Sequence, residues 1–250
     1  MLLFTIHMNI PRTARVSIVL PAYNEEENIL TSLRQIEDKV APHVQDYEII
    51  VVNDGSQDRT ASVCEESAKK NPRIRIIHHP QNKGYGASLR DGFLAARLDA
   101  VFFTDADNQF DVSEIRYLLP LLDRYDVITG FRIYRYDSVL RCMASWCYNR
   151  LVRLVFGVRV RDVDCAFKLM KKEIFQKIRL HSNNFFICTE LLAKARFYGF
   201  LINEIGVRHY PRMAGRTSVR PSDIPRTLRT LLWIWYDIHF NKDAVQKDSL

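Results

Sequence analysis

Asp105-Ala106-Asp107-Asn108-Gln109 follows the apolar run Val101-Phe102-Phe103-Thr104 and sets two carboxylates one residue apart, with an amide two residues on. Carboxylate and amide oxygens are hard ligands, so Asp105, Asp107 and Gln109 suit Mg2+ or Mn2+. The apolar run is short, β-favouring and flanked by helical patterns. It predicts a buried strand of a mostly parallel sheet, with the acids at the carboxyl edge where open α/β sheets bind ligands. An Asp-x-Asp is also an ordinary solvated turn, so the neighbouring strand ends must decide between the two.

Those neighbours repeat one pattern. Val16 to Leu20 reads as a strand stopped by Pro21, and Ala22 to Asn28 leads into a helix that Asn24 or Glu25 can cap. Tyr47 to Asn53 is a second strand, broken at Asp54-Gly55 before a helix from Thr60 to Lys70. Arg73 to His79 is a third, followed by Asn82-Lys83-Gly84-Tyr85-Gly86 and a helix to Arg97. Gly84 and Gly86 are expected to let backbone N–H groups approach a phosphate or ribose, although Leu89 at the third glycine position excludes the dinucleotide fingerprint. Strand-helix repeats of this kind imply right-handed crossovers, which gather Tyr23, Glu25, Asp54 and the acidic triplet along one edge. A nucleotide site follows from that convergence.

A chain of 250 residues, 47% hydrophobic and 26% charged, suits one large α/β domain. Its formal charge of +7 calls for an anionic partner. The five cysteines are scattered with no Cys-x-x-Cys pair, so neither zinc nor a disulfide framework is expected and a reducing cytosol is the simpler setting. The apolar opening, Met1 to Met8, lacks a basic start and the length of a signal core.

Leu20-Pro21-Ala22-Tyr23-Asn24-Glu25-Glu26, Val51 to Thr60, Asn82 to Ala87 and Asp105 to Gln109 resemble, in order and spacing, the motifs of family 2 glycosyltransferases with the GT-A fold, most closely the polyprenyl-phosphate sugar transferases of the dolichol-phosphate mannose synthase type. The resemblance runs from about Val16 to about Ser218. It implies an α/β GT-A domain over 16–218, with an extension at 1–15 and a C-terminal amphipathic helix within 219–250. It also implies an inverting, metal-dependent transfer of a sugar from GDP-mannose or another GDP- or UDP-sugar to a polyprenyl phosphate. Pro21, Tyr23, Glu25, Asp54, Lys83 and Ala106 would bind the nucleotide, and Asp105, Asp107 and Gln109 the metal. Asp105, Asp107, Asp162 and Arg212 would serve the reaction.

The second half adds the acceptor. Seven arginines between Phe131 and Arg161 face one acid, Asp137. In a helix from Asp137 to Phe156, Arg141 and Ser145 share a face, while Leu140, Met143, Cys147, Leu151 and Leu154 line another. A guanidinium one turn from a hydroxyl, completed by Arg132 at a strand end, makes a phosphate clamp. The resemblance gives Arg132, Arg141 and Ser145 that role. Arg161-Asp162-Val163-Asp164-Cys165-Ala166-Phe167 resembles the family's Arg-Asp-x-x-x-Gly-Phe segment, with Ala166 replacing glycine. Asp162 there orients the acceptor, acts as base, or pairs with Arg159 or Arg161. Glu190, in a helix from Phe186 to Tyr198, is a candidate acid facing the site. Leu201 to Tyr210 reads as a strand. His209 to Ser218 resembles the family's mobile loop, with Arg212 as the pyrophosphate contact.

The last helix, Asp223 to Phe240, is too short in apolar length to span a bilayer. With its tryptophans and nearby arginines it either lies on an anionic membrane or packs on the domain. The expected setting is cytoplasmic and peripheral on the membrane, with a membrane subunit as a further candidate partner. Two alternatives stand beside this reading: a family 2 transferase acting on a saccharide or lipid hydroxyl, and a non-catalytic nucleotide-sugar-binding subunit. Nucleic acid is not an expected partner, because few aromatic stacking positions accompany the arginines.

Overall fold

A computed structural model describes residues 14–135, 138–211 and 224–240, the last stretch with side chains from 227. Its centre is a seven-stranded sheet in the order β3-β2-β1-β4-β6-β5-β7, formed by β1 (Arg15–Ala22), β2 (Asp46–Asn53), β3 (Ile74–His78), β4 (Ala100–Thr104), β5 (Val127–Arg132), β6 (Phe167–Lys171) and β7 (Ile202–Val207). All neighbours pair in parallel except β6, which runs antiparallel between β4 and β5. The start of β6 therefore meets the carboxyl ends of the other six strands at one edge.

β1, β2 and β4 are almost wholly buried because helices cover both faces. Flanking the sheet are α1 (Ile29–Lys39), α2 (Thr60–Lys70), α3 (Tyr85–Ala95), α4 (Ile115–Leu118), α5 (Val139–Phe156), α6 (Ile174–Lys177), α7 (Ile187–Phe197) and α8 (Ile224–Phe240). Strand order reverses at β1, between β2 and β4, so the crevice of such a sheet opens beside Tyr23 and the acidic triplet.

Several local expectations are corrected. Pro21 does not stop β1: the strand runs on to Ala22 against β2, while its ladder with β4 ends at Val19, so the missing N–H falls where only one side is paired. Asn24 and Glu25 do not cap α1, which starts at Ile29 after a turn closed on the Glu25 carbonyl. α3 ends at Ala95 rather than Arg97. β6 is an additional strand, hidden in the sequence because it is buried on both faces and carries a buried lysine, Lys168, instead of alternating. Of the apolar stripe of α5, Leu151 packs against the core while Leu140, Met143, Cys147 and Leu154 are exposed. Val152 is the one buried residue of α5, while Leu140 and Leu154 are 76% and 83% exposed.

The last helix does pack on the rest of the chain. Ile234 and Ile238 of α8 cluster with Phe186 and Ala193, against Tyr148 and Phe156 of α5. Its opposite face leaves Leu232, Trp233, Trp235, Tyr236 and Phe240 exposed. No helix among the described residues is long and apolar enough to cross a membrane.

Candidate active site

Two loops at the carboxyl edge lock together. Asn24 adopts a left-handed backbone (φ 54°), its N–H donating to Ser56 Oγ (3.0 Å) and its Oδ1 accepting from the Gln57 N–H (2.9 Å). Asn is one of the few residues that tolerates this conformation. The Glu25 N–H donates to Thr60 Oγ1 (2.8 Å), and its carboxylate accepts from Asn28 Nδ2 (2.7 Å). These contacts set the rim of the cleft, with Pro21 buried beneath and Tyr23 exposed on top.

Asp54 is buried and holds the next loop. It accepts from the backbone N–H groups of Lys83 (2.8 Å) and Gly84 (2.9 Å), and its Oδ1 lies 2.6 Å from His79 Nδ1. The other ring nitrogen of His79 lies 2.9 Å from Asp91 Oδ2. Lys83 Nζ reaches the same Asp91 at 3.9 Å. The glycines beside Lys83 serve packing, which corrects the expectation that they clear room for a phosphate. The Gly86 N–H donates to the Asn183 carbonyl (3.0 Å), and a Cβ at Gly86 would lie 2.6 Å from the Asn184 carbonyl oxygen. Gly84, at φ 100°, abuts the Asn183 carbonyl in the same way.

Glu190 holds that partner segment and does not face the site. It is fully buried on α7, accepting from the N–H groups of His181 (2.9 Å) and Ser182 (2.8 Å) and from Lys194 Nζ (2.7 Å). Lys194 in turn bonds Asp237 of α8 (2.7 Å).

The acidic triplet leaves β4 in a turn braced from both sides. Asp105 Oδ1 accepts from the Tyr85 hydroxyl (2.9 Å), and burial followed by the charge of Asp105 keeps that phenol protonated. Asp107 Oδ1 accepts from the Gln109 N–H (3.1 Å). On the α1 side, Ser32 Oγ lies 2.8 Å from the carbonyl oxygen of buried Ala106 and 2.9 Å from Asn108 Oδ1. On the β7 side, Gln109 donates Nε2–H to the Tyr210 carbonyl (2.9 Å) and accepts at its own carbonyl from the Tyr210 N–H (2.8 Å), while Phe110 bridges His209. Two carboxylates and an amide in one braced turn fit a hard divalent cation. Among the described residues no three His, Cys, Asp or Glu side chains form a complete cage, so further ligands would come from the nucleotide and water. Arg212 and the rest of the loop expected to close over the donor lie outside the described residues; the chain enters them from the anchored His209-Tyr210 pair.

On the acceptor side the expected clamp is rearranged. Arg132, at the end of β5, pairs bidentately with Asp162 (2.6 and 2.9 Å). Burial would raise the Asp162 carboxyl, but the Arg132 hydrogen bond and the charges of Arg132, Arg135 and Lys168 outweigh it and hold the carboxyl below its usual range. Arg161, one of the two expected partners, bonds Glu204 at 3.1 Å instead. Ser145 accepts from Arg135 Nη1 (2.8 Å), so Arg135, three residues past Arg132, joins the group that the sequence pattern had assigned to Arg141. Arg141 itself lies in the exposed first turn of α5, its N–H near the capping Ser138 hydroxyl (3.4 Å).

Residues 17–179, from the first strand through the acidic triplet and beyond the acceptor-side loop, match the model of Glycosyl transferase family 2. The chain belongs to glycosyl transferase family 2. Glycosyltransferase AglD of Haloferax volcanii is 34% identical over 218 residues, covering 82% of this chain and 34% of AglD. Dodecaprenyl-phosphate galacturonate synthase of Rhizobium johnstonii is 27% identical over 225 residues, covering 88% of this chain and 65% of the synthase. The chain thus spans about a third of one relative and just under two thirds of the other. Glucosyl-3-phosphoglycerate synthase of Mycobacterium tuberculosis, solved with Mn2+, uridine diphosphate and phosphoglyceric acid, superposes with a TM-score of 0.68 at 18% identity, covering 90% of this chain and 78% of that one. The family 2 chain therefore has the GT-A fold implied by its sequence motifs.

Proposed function

We propose that this family 2 transferase moves a sugar from a nucleoside diphosphate sugar to a polyprenyl phosphate, with inversion at the anomeric carbon. The observation that carries this reading is the pairing, at one sheet edge, of a hard-ligand acidic turn with a group of arginines and a serine suited to a phosphate. The Rhizobium johnstonii relative, a dodecaprenyl-phosphate galacturonate synthase by name, supports a lipid phosphate as acceptor. Under this reading Asp105, Asp107 and Gln109 hold Mg2+ or Mn2+, which when bound supplies positive charge against the leaving diphosphate. A manganese and uridine diphosphate complex of the same fold supports that assignment.

The chain's own residues then have two tasks. Tyr23, Glu25, the loop held by Asp54, Lys83 and Ala106 shape the nucleotide pocket, and Arg212 contacts the diphosphate. Arg132, Arg135 and Ser145, with Arg141 at the mouth, hold the acceptor phosphate. A phosphate monoester has its second pKa near about 6, so it reaches the site largely as a dianion and attacks without a strong base. Bringing it within about 4 Å of the donor diphosphate costs roughly 4 kcal/mol per pair of unit charges at an effective dielectric of 20, and the guanidinium groups offset this. The exposed apolar residues of α5 and α8, set among Arg141, Arg150 and Arg153, support docking on an anionic membrane where the lipid resides. In this reading residues 16–218 form the catalytic unit, with α8 as its interfacial element.

The test is transfer of radiolabelled sugar from a panel of GDP- and UDP-sugars, GDP-mannose included, into organic-extractable lipid by purified protein with polyprenyl phosphate and Mg2+ or Mn2+. Product that requires the lipid phosphate and vanishes in Asp107→Ala supports the reading. Transfer only to a free hydroxyl acceptor would overturn it.

A further inference from the structure

Asp164 sits in the loop between α5 and β6, two residues beyond Asp162. The residue keeps some exposure, but its Oδ1 is buried and has no hydrogen-bond partner among the described residues. The titratable groups facing it come from every element packed around the loop: Asp162 beside it, Lys168 of β6, Arg132 and Arg135 at the end of β5, Tyr148 of α5 and Cys188 of α7. Burial keeps the Tyr148 phenol and the Cys188 thiol neutral, the thiol pushed up to about 12. Arg132 is turned onto Asp162, Arg135 onto Ser145, and the Lys168 ammonium onto the carbonyls of Val163 and Cys165.

Two carboxyls two residues apart are thereby driven in opposite directions. Asp162 is held ionised by Arg132, while burial and then the charge of Asp162 push Asp164 up to about 7. Such a divergent pair marks a division of labour between carboxylate and carboxylic acid. A neutral carboxyl has one O–H to donate, and a buried polar atom with no partner calls for a ligand.

We propose that Asp164 binds the acceptor as a neutral carboxylic acid, donating its O–H to a phosphate oxygen held between Arg132, Arg135 and Ser145. The assignment rests on the phosphate-acceptor reading above. A phosphate dianion beside Asp164 reinforces it, because like charge disfavours the carboxylate and so keeps the donor protonated.

The experiment is the pH dependence of kcat/KM for polyprenyl phosphate, from pH 6.5 to 8.5, in the wild type, Asp164→Asn and Asp164→Ala. One group titrating near 7 makes the wild-type value fall about fivefold between pH 7 and pH 8, above the range where the phosphate itself titrates. Asp164→Asn, with a weaker N–H donor, falls a few-fold at pH 6.5 and then stays level. Asp164→Ala, with no donor, falls about tenfold at pH 6.5, through KM rather than kcat. An infrared titration of the carboxyl C=O band, wild type minus Asp164→Asn, shows a neutral carboxyl lost near pH 7. Variants that track the wild-type profile, or an Asp164→Asn that loses kcat at every pH, would overturn the proposal, the latter by making Asp164 a proton acceptor. A wild type that neither binds nor glycosylates the lipid phosphate would defeat the acceptor reading itself, a failure distinguishable from that of Asp164 alone.

Discussion

Replacing Lys194 by Met removes the cation that ties α7 to α8. Its ammonium lies 2.7 Å from Glu190 Oε1, 2.7 Å from Asp237 Oδ2 and 2.5 Å from the Arg179 carbonyl, and the side chains of Lys194, Glu190 and Asp237 are buried. Met nearly matches the volume, so the loss is electrostatic: two buried carboxylates lose a cation that offsets their desolvation. Breaking a buried pair from one side costs about 3–5 kcal/mol. At about 2–4 °C per kcal/mol for a chain of this size, the melting temperature should fall by roughly 6–20 °C. Circular dichroism melting measures that. Tryptophan fluorescence reports whether α8 leaves first, since Trp233 and Trp235 sit on it. Glu190 also holds the 181–182 backbone at the start of the 182–184 segment that abuts Gly84 and Gly86, so the donor KM should rise while kcat changes less. Adding Asp237→Leu should recover part of the stability by removing one of the two buried carboxylates. A melting temperature within about 2 °C of wild type, with unchanged fluorescence, would refute the idea that this network anchors α8.

Other predictions follow from separate contacts. Gly86→Ala drives a methyl into the backbone of 182–184 and should destabilise the fold by about 1–3 kcal/mol with a raised donor KM, as seen by denaturant melts and donor titration. Tyr85→Phe removes the hydroxyl that orients Asp105, and sugar transfer should weaken mainly at low metal concentration, measured as a higher activation constant for Mn2+ or Mg2+. Leu140→Ser with Trp146→Ser should reduce flotation with anionic vesicles without altering the melting temperature, because both side chains are exposed. The pH dependence of stability has two signs. Asp162, held low, adds stability above the ordinary carboxyl range and loses it as pH falls through its depressed folded value. Asp164, raised to about 7, has the opposite effect: its contribution is complete at low pH and declines between about pH 4 and pH 7. Asp164→Asn should therefore gain on the wild type above pH 7, by at most about 4 kcal/mol, and not below pH 4 in chemical denaturation.

The strands and helices from Val16 to Thr104, and the gathering of their carboxyl ends, were legible in the sequence because both follow from local rules. Apolar runs, turn residues and helical spacing act over a few residues, and parallel crossovers have one hand. The acidic triplet and the order of the motifs were legible for the same reason. What each side chain touches was not. Arg132 meets Asp162 across 30 residues, and Gly86 meets Asn183 across 97, so neither partner can be read from spacing. The glycines looked like room for a ligand and proved to be room for a neighbouring backbone, since absence of a side chain does not say what fills the gap. Likewise the apolar stripe of α5 specified an amphipathic helix but not its partner. Only the tertiary structure decided that protein covers α8 on one face and leaves most of α5 bare, because burial depends on the whole packing and no single segment encodes it.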